Sequence, residues 1–257
     1  MPMPLAFFDF AGRLRRRLRL RLWAARTRLA LRRRGCRLEL VTGPGTSFHR
    51  APTLEVQREA APARGPWRLT LHVGARCDLG AHLALEVVPG ADSRIVLGES
   101  VRLGTGVRLV AAGGVLSVGA WSDVRDGVVL KAGGRLDVGN RTLLSYHSVV
   151  HCAEAVMIGD DATLAERVSV IDSDHDTGGS SHPVRARQLS TAPVSIGRNA
   201  WLGANTVVLR GVRIGDDAVV AAGSVVRAGD YPPGSLLAGA PAVAKRMLGD
   251  PPNGGEG

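Results

Sequence analysis

Aliphatic residues recur at every sixth position over much of the chain. From Ile196 the sequence divides into the hexads IGRNAW, LGANTV, VLRGVR, IGDDAV and VAAGSV, each of which begins with an aliphatic residue. The same phase is found upstream in segments that begin at Val73, Leu97, Val118, Val138 and Ile158. More than a dozen hexads in phase are a strong repeat signal, so an internal repeat organises the chain from about residue 71 to 227.

The spacing of the hexads predicts a coil with three sides. The segments that start at 118, 138 and 158 are separated by three hexads plus two further positions, whereas Ile196 and Ile214 are separated by three hexads alone. Each coil then has a short strand on each side, with the aliphatic residue pointing inward and parallel strands pairing from coil to coil. Glycine is favoured where φ must be positive. The sequence therefore predicts an all-β solenoid over residues 71–247.

The N-terminal residues 1–37 follow a different pattern. The stretch FAGRLRRRLRLRLWAARTRLALRRRG contains no proline and predicts a helix ending at Gly35. At about 100° per residue, one sector about 80° wide holds the apolar residues Leu14, Leu18, Leu22, Ala25 and Leu29. Two interpretations stay open: this stripe packs on the body or on another subunit, or residues 7–34 lie on an anionic membrane surface.

The basic charge of the chain is confined to this arm. Residues 1–37 hold twelve arginines and one acid, a charge of +11, whereas residues 38–257 hold 21 basic and 22 acidic side chains, a charge of −1. A nearly neutral body and the lack of a known DNA-binding module argue against nucleic acid as the partner. The net positive charge is therefore a property of the N-terminal arm and not of the repeat domain.

The segments outside the repeat and the arm, together with the cysteines, set further expectations. Residues 38–70 are an irregular connection or an imperfect first coil, and residues 248–257 have the composition of a disordered tail. The three cysteines, Cys36, Cys77 and Cys152, form no CxxC motif, which fits a reducing compartment. No apolar run reaches the roughly 18 residues of a spanning helix, and no signal peptide is recognised. We expect a cytoplasmic protein, with peripheral contact to the inner face of the membrane through the arm.

The repeat is interrupted once at length. The coil that begins at Ile158 should end at His175, yet the next clean hexad begins at Ile196. Residues 176–195 are polar and contain glycine and proline, which is typical of a projecting loop. Because a stack of repeats does no chemistry by itself, a functional site is expected at this break.

Residues 196–246 resemble the maltose, galactoside and lipopolysaccharide O-acetyltransferase group of the hexapeptide-repeat acyltransferases. The resemblance rests on IGRNAWLGANTVVLRGVRIGDDAVVAAGSVV, the PP step and AGAPAVAKR, preceded by a histidine and a projecting loop. It implies a left-handed parallel β-helix, a short C-terminal loop and helix, and a homotrimer with active sites between subunits. It also implies transfer of an acetyl group from acetyl-CoA to a saccharide hydroxyl.

The resemblance assigns the general base to His175, which takes the proton of the acceptor hydroxyl in a direct transfer. The family has an asparagine well before this histidine, at the place where this chain has Ser145, with Tyr146 and His147 as nearby polar substitutes. Asp172 and Asp174 are candidates to orient the ring or bind the acceptor. In an extended strand both would face opposite to His175.

The same resemblance implies where acetyl-CoA binds. Trp201 occupies an outward place in its hexad and would line the channel near the thiol end. Small residues would let the cofactor approach the backbone, and cations would meet its phosphates. These candidates are Gly203, Ala204, Ala222, Gly223, Ser224, Arg227, Lys245 and Arg246.

Two other classes of function are weighed against this one. A non-catalytic trimeric module could dock to membrane or partners through the arm. A zinc enzyme similar to the hexapeptide carbonic anhydrases is suggested by His147 and His151, although the paired histidines are more widely spaced in that family. No metal is expected.

Overall fold

The computed structural model describes residues 22–57, 66–178 and 182–248, and it shows a parallel β-helix with three sheets. Residues 22–32 form a helix, and Val184–Ala186 form a short 3-10 helix. The N-terminal strands are β1 Cys36–Thr42, β2 Ser47–Phe48, β3 Thr53–Val56, β4 Trp67–Val73, β5 Asp78–Leu79, β6 Ala84–Val87, β7 Ser93–Leu97, β8 Arg102–Leu103 and β9 Arg108–Ala111. The central strands are β10 Val115–Val118, β11 Asp123–Val124, β12 Val129–Ala132, β13 Arg135–Val138, β14 Leu143–Leu144, β15 Val149–Cys152, β16 Ala155–Ile158, β17 Thr163–Leu164 and β18 Ser169–Ile171. The C-terminal strands are β19 Ser173–His175, β20 Leu189–Thr191, β21 Val194–Ile196, β22 Trp201–Leu202, β23 Val207–Val208, β24 Val212–Ile214, β25 Val219–Val220, β26 Val225–Val226, β27 Gly229–Tyr231, β28 Ser235–Gly239 and β29 Ala242–Met247.

Successive strands contribute to three sheets in turn. Sheet A runs from β1 to β27, sheet B from β2 to β29, and sheet C from β3 to β26, and within the described residues they form eight complete coils. Parallel register joins each strand to its counterpart one coil later, as in Leu116↔Leu136 and Leu136↔Val156. These inward residues are fully buried. The predicted solenoid of hexapeptide coils is confirmed.

The first coil precedes the regular hexads. Strand β1 pairs with β4 from Cys36↔Trp67 to Thr42↔Val73, and β2 and β3 pair with β5 and β6. Of the two interpretations of residues 38–70, the described part forms a coil. The hexad pattern misses it because Cys36 and its partner Trp67 are separated by far more than three hexads.

The helix packs on the solenoid with a different face from the leucine stripe. Its buried side chains are Trp23, Ala24, Thr27 and Leu31. Leu22 and Leu29 are 52% and 55% exposed. The interpretation that the stripe packs on the body is therefore wrong for its described members, and Leu14 and Leu18 lie outside the described residues. Within the part of the chain that the structure describes, no helix is both long and apolar enough to cross a membrane.

The C-terminal segment differs from the predicted loop and short helix. Strand β29 turns back and pairs antiparallel with β28, from Ser235↔Met247 to Gly239↔Ala242. Strand β28 would otherwise be the open edge of sheet B, and a strand can satisfy its backbone groups where a helix cannot. The expected helix is corrected to a β-hairpin.

Candidate active site

The break in the repeat is a β-hairpin that leaves the solenoid at the end of sheet C. Strand β19 pairs antiparallel with β20, with His175 opposite Leu189. The base of the hairpin is closed by the Ala192 N–H, which donates to the Asp172 carbonyl at 3.0 Å. His175 is exposed on this hairpin. The structure thus places the predicted base outside the coil, where a substrate can reach it.

Asp172 is fully buried and holds backbone instead of facing the acceptor. Its Oδ1 accepts the Ala153 N–H at 2.7 Å, and its Oδ2 accepts those of Glu154 and Ala155 at 2.8 and 2.9 Å. In the preceding coil the corresponding Gly133 N–H donates to a backbone carbonyl of the next coil. The Asp172 carboxylate therefore replaces the backbone that is missing where the chain departs into the hairpin.

Asp174 is engaged by a cation from the following coil. The Arg210 Nε donates to Asp174 Oδ2 at 2.7 Å, and both side chains are partly exposed. Arg187 spans the two arms of the hairpin, donating to the carbonyls of His182 and Asp176 at 3.0 and 3.2 Å. These contacts fix the hairpin on either side of His175, while the two carboxylates proposed to orient its ring serve other partners.

A polar cluster lies at the corner between sheets B and C. Ser145 is buried, and its hydroxyl donates to Glu166 Oε1 at 3.0 Å. The pKa of Glu166 is lowered, first by its own backbone N–H and then by Ser145. Tyr146 is 41% exposed and lies on the same corner, one coil before Glu166. The Arg167 N–H donates to the Tyr146 carbonyl, which joins the two coils at this point. Tyr146 and Glu166 can therefore offer polar groups to a hydroxylated ligand.

His147 packs against the glycine of the preceding coil. A Cβ at Gly127, which has a φ of +70°, would overlap the His147 imidazole, so glycine leaves room for the ring in this position. His151 lies on sheet C in register with Lys131. Burial lowers the pKa of His151, and the Lys131 charge lowers it further. Among the described residues no group of three or more His, Cys, Asp or Glu side chains is arranged to hold a metal ion.

Two of the residues proposed for the cofactor, Trp201 and Arg246, lie in one row on the outer face of sheet B. Trp201 is 53% exposed and is followed in register by Val219, Leu236 and Arg246. Neighbouring strands are about 4.8 Å apart, so the row from the indole to the guanidinium is about 14 Å long. Lys245 is exposed beside Arg246 on β29, whereas Arg227 is exposed after β26, on the corner of sheet C with sheet A. The row therefore joins an exposed indole at one end to a guanidinium at the other.

Small residues line the adjoining corner. A Cβ at Gly203 would lie 2.5 Å from the Ala222 backbone N, so only glycine fits there. Ala204 is half-buried, and Ala222 and Gly223 are exposed. The Ser224 hydroxyl is buried and accepts the Gly239 N–H at 3.2 Å, so it holds the C-terminal hairpin. Its side chain therefore faces away from solvent, and the expectation that a cofactor approaches its backbone stays a prediction.

The two halves of the candidate site start from opposite edges of sheet C. Tyr146, Ala204 and Ala222 precede sheet C strands on the corner with sheet B, whereas the His175 hairpin follows β18 on the corner with sheet A. A strand of sheet C, about 10 Å long, separates the two corners.

Sequence reasoning missed Glu166, Arg187 and Arg210. Glu166 could have been found because it follows Tyr146 by one coil of the regular repeat. Arg210 is far from Asp174 along the chain, and the loop lies between them, so no periodic signal connects the two.

The fold is a parallel β-helix of hexapeptide coils, and comparison with known proteins finds similar chains. The family model described as the hexapeptide repeat of succinyl-transferase matches residues 193–228. A variant of AntD, an N-acyltransferase from Bacillus cereus in complex with dTDP and coenzyme A, has a similar fold, with a TM-score of 0.52 and 19% identity over 59% of this chain and 83% of that one.

The sequence is also similar to curated acetyltransferases. A probable acetyltransferase of Mycobacterium tuberculosis is 32% identical over 62% of this chain and 54% of its own length. The galactoside O-acetyltransferase of Escherichia coli is 30% identical over 51% of this chain and 62% of its own. The chain thus spans little more than half the length of these relatives. The predicted resemblance to the hexapeptide-repeat acetyltransferases is confirmed.

Proposed function

We propose that the protein is an acetyl-CoA-dependent O-acetyltransferase that acts on a saccharide hydroxyl. The observation that carries the proposal is the pairing of two features: an exposed histidine on a braced hairpin and a row from Trp201 to Arg246 that suits a long anionic cofactor. Similarity to a galactoside O-acetyltransferase supports the acceptor class.

In this mechanism His175 acts as a general base. A hydroxyl is a weak nucleophile at neutral pH, and an imidazole that takes its proton during attack on the thioester accelerates transfer by about 10²–10⁴-fold. The new C–O bond forms as the C–S bond breaks, and the proton held by the imidazole passes to the departing CoA thiolate. Tyr146 and Glu166 are proposed to position the acceptor.

We further propose a cytoplasmic homotrimer. A site that combines His175 with the corner of Ala204 and Ala222 is most easily built from two chains, because these elements start from opposite edges of sheet C. Neighbouring subunits in a ring bring different faces together. The three cysteines are free thiols, which fits a reducing compartment.

The test compares two histidines on the same hairpin. His175→Ala should lower thiol release in the presence of acceptor by at least a hundredfold while calorimetry still detects acetyl-CoA binding. His182→Ala is the matched control and should retain transfer. Normal turnover in His175→Ala would refute the assignment, and absence of acetyl-CoA binding by the unaltered protein would favour the non-catalytic module.

A further inference from the structure

The N-terminal helix has a second apolar face that points away from the solenoid. At about 100° per residue, the direction shared by Leu22, Ala25 and Leu29 is opposite to the mean direction of the buried side chains. Leu22 and Leu29 are each more than half exposed, and Ala25 is exposed as well. Within the described chain the helix is thus apolar on two sides, of which the solenoid covers one.

Arginines border the outer face. On the same helical projection Arg26 and Arg33 fall on one side of the leucines, and Arg28 and Arg32 fall on the other. All four are exposed. Residues 22–35 contain no aspartate or glutamate. A narrow apolar strip between rows of cations is the composition of helices that lie in a membrane interface.

Charge complementarity selects one occupant. Two copies of this helix packed leucine to leucine would bring their arginine rows together with no acid between them, which is unfavourable. A nucleic acid would satisfy the arginines but leave the leucines in water. A bilayer with anionic headgroups satisfies both, because the leucines enter the acyl boundary and the arginines meet phosphates. We propose that the outer face of residues 22–33 docks the protein onto an anionic membrane.

The position of the helix gives this surface a defined direction. The Trp67 Nε1 donates to the Arg34 carbonyl at 3.2 Å, which ties the end of the helix to the second coil. The docking face is therefore held at the N-terminal end of the solenoid. If the chain forms the proposed trimer with parallel coil axes, three such faces lie at one end and reinforce one another.

Co-sedimentation of the full chain with vesicles tests the proposal. Binding is expected to phosphatidylcholine vesicles that contain phosphatidylglycerol, to decline with salt, and to be weak for phosphatidylcholine alone. The double substitution Leu22→Glu with Leu29→Glu should weaken binding at least tenfold, and Arg26→Gln and Arg33→Gln roughly fivefold each. Met157→Glu, at a residue that is 50% exposed on sheet A, is the matched control and should bind normally.

Three results would overturn the proposal: equal affinity for neutral and anionic vesicles, unchanged binding of the leucine variant, or equal loss in the Met157 control. A smaller oligomer in the leucine variant, with no vesicle binding by the unaltered protein, would assign the face to a second copy. Thermal unfolding verifies that each variant is folded. Because vesicle binding needs no acetyl-CoA, failure here is distinguishable from failure of the acetyltransferase proposal.

Discussion

Replacing Asp172 by alanine should destabilise the protein at the base of the hairpin. The carboxylate accepts three backbone N–H groups, from Ala153, Glu154 and Ala155, in a fully buried position. Alanine removes all three acceptors, and each N–H left without a partner costs about 1–3 kcal/mol. The turn that carries these N–H groups is partly exposed, so water can replace part of the lost hydrogen bonding. Taking the low end of the range for each of the three groups, we expect the free energy of unfolding to fall by about 3 kcal/mol.

Two comparisons sharpen this estimate. Asp172→Asn keeps the shape and one acceptor oxygen but turns an amide donor toward backbone donors, so its cost should be about half as large. Asp92→Ala is the control, because Asp92 accepts one exposed N–H, that of Arg68 at 2.7 Å. Its cost should stay under about 1 kcal/mol.

Denaturant unfolding followed by circular dichroism measures the free energies, and hydrogen exchange locates the loss. The amides of Ala153, Glu154 and Ala155 should exchange faster in Asp172→Ala, while those of the first coils keep their protection. If Asp172→Ala matches the Asp92→Ala control in both measurements, the view that this carboxylate replaces missing backbone is wrong.

Three further predictions test the site and its surroundings. His175→Ala chains and Ala222→Trp chains, each expected to be inactive alone, are mixed so that they form joint oligomers. If the site is shared between subunits, about a quarter of the sites combine an unaltered His175 with an unaltered Ala222, and about a quarter of full activity should return. If each site lies within one chain, no activity should return. Asp174→Arg and Arg210→Asp should each lower kcat about tenfold with little change in the KM for acetyl-CoA, and the double variant should recover, because the pair is proposed to position the hairpin. Burial and the nearby Asp172 charge raise the pKa of Cys152 from 9.0 to about 12, so the thiol of the folded protein should resist iodoacetamide at pH 8. The free energy of unfolding should fall as pH rises from about 9 to 12, because in this range the thiol ionises in the unfolded chain alone.

The solenoid could be predicted from sequence because every coil repeats the same requirement. An inward place such as Leu136 contacts its counterparts in the coils before and after it, so the same residue type recurs with a fixed period. The arm could not be predicted in the same way. A helical projection finds apolar sectors but not the neighbour that covers them, and the narrow leucine stripe hid the second face formed by Trp23 and Leu31.

The C-terminal strand and the aspartates depend on tertiary context. Residues 242–247 read AVAKRM, which favours a helix locally, but the open edge of β28 offers backbone partners that override this preference. The alternation of side chains along an extended strand predicts that Asp172 and Asp174 lie on the same face. The chain leaves the coil directly after Asp172, so one carboxylate is buried beneath the turn and the other meets Arg210.

The architecture separates stability from the proposed chemistry, with one exception. Stability in a solenoid accumulates from coil to coil, so the exposed hairpin can be altered at His175 without unfolding the stack, and loss of activity there reports on the reaction. Asp172 is different, because its carboxylate completes the hydrogen bonds of one coil and thereby holds the residue whose backbone carbonyl closes the base of the hairpin. A substitution at Asp172 should therefore lower both the unfolding free energy and the rate of transfer, whereas one at His175 should lower the rate alone.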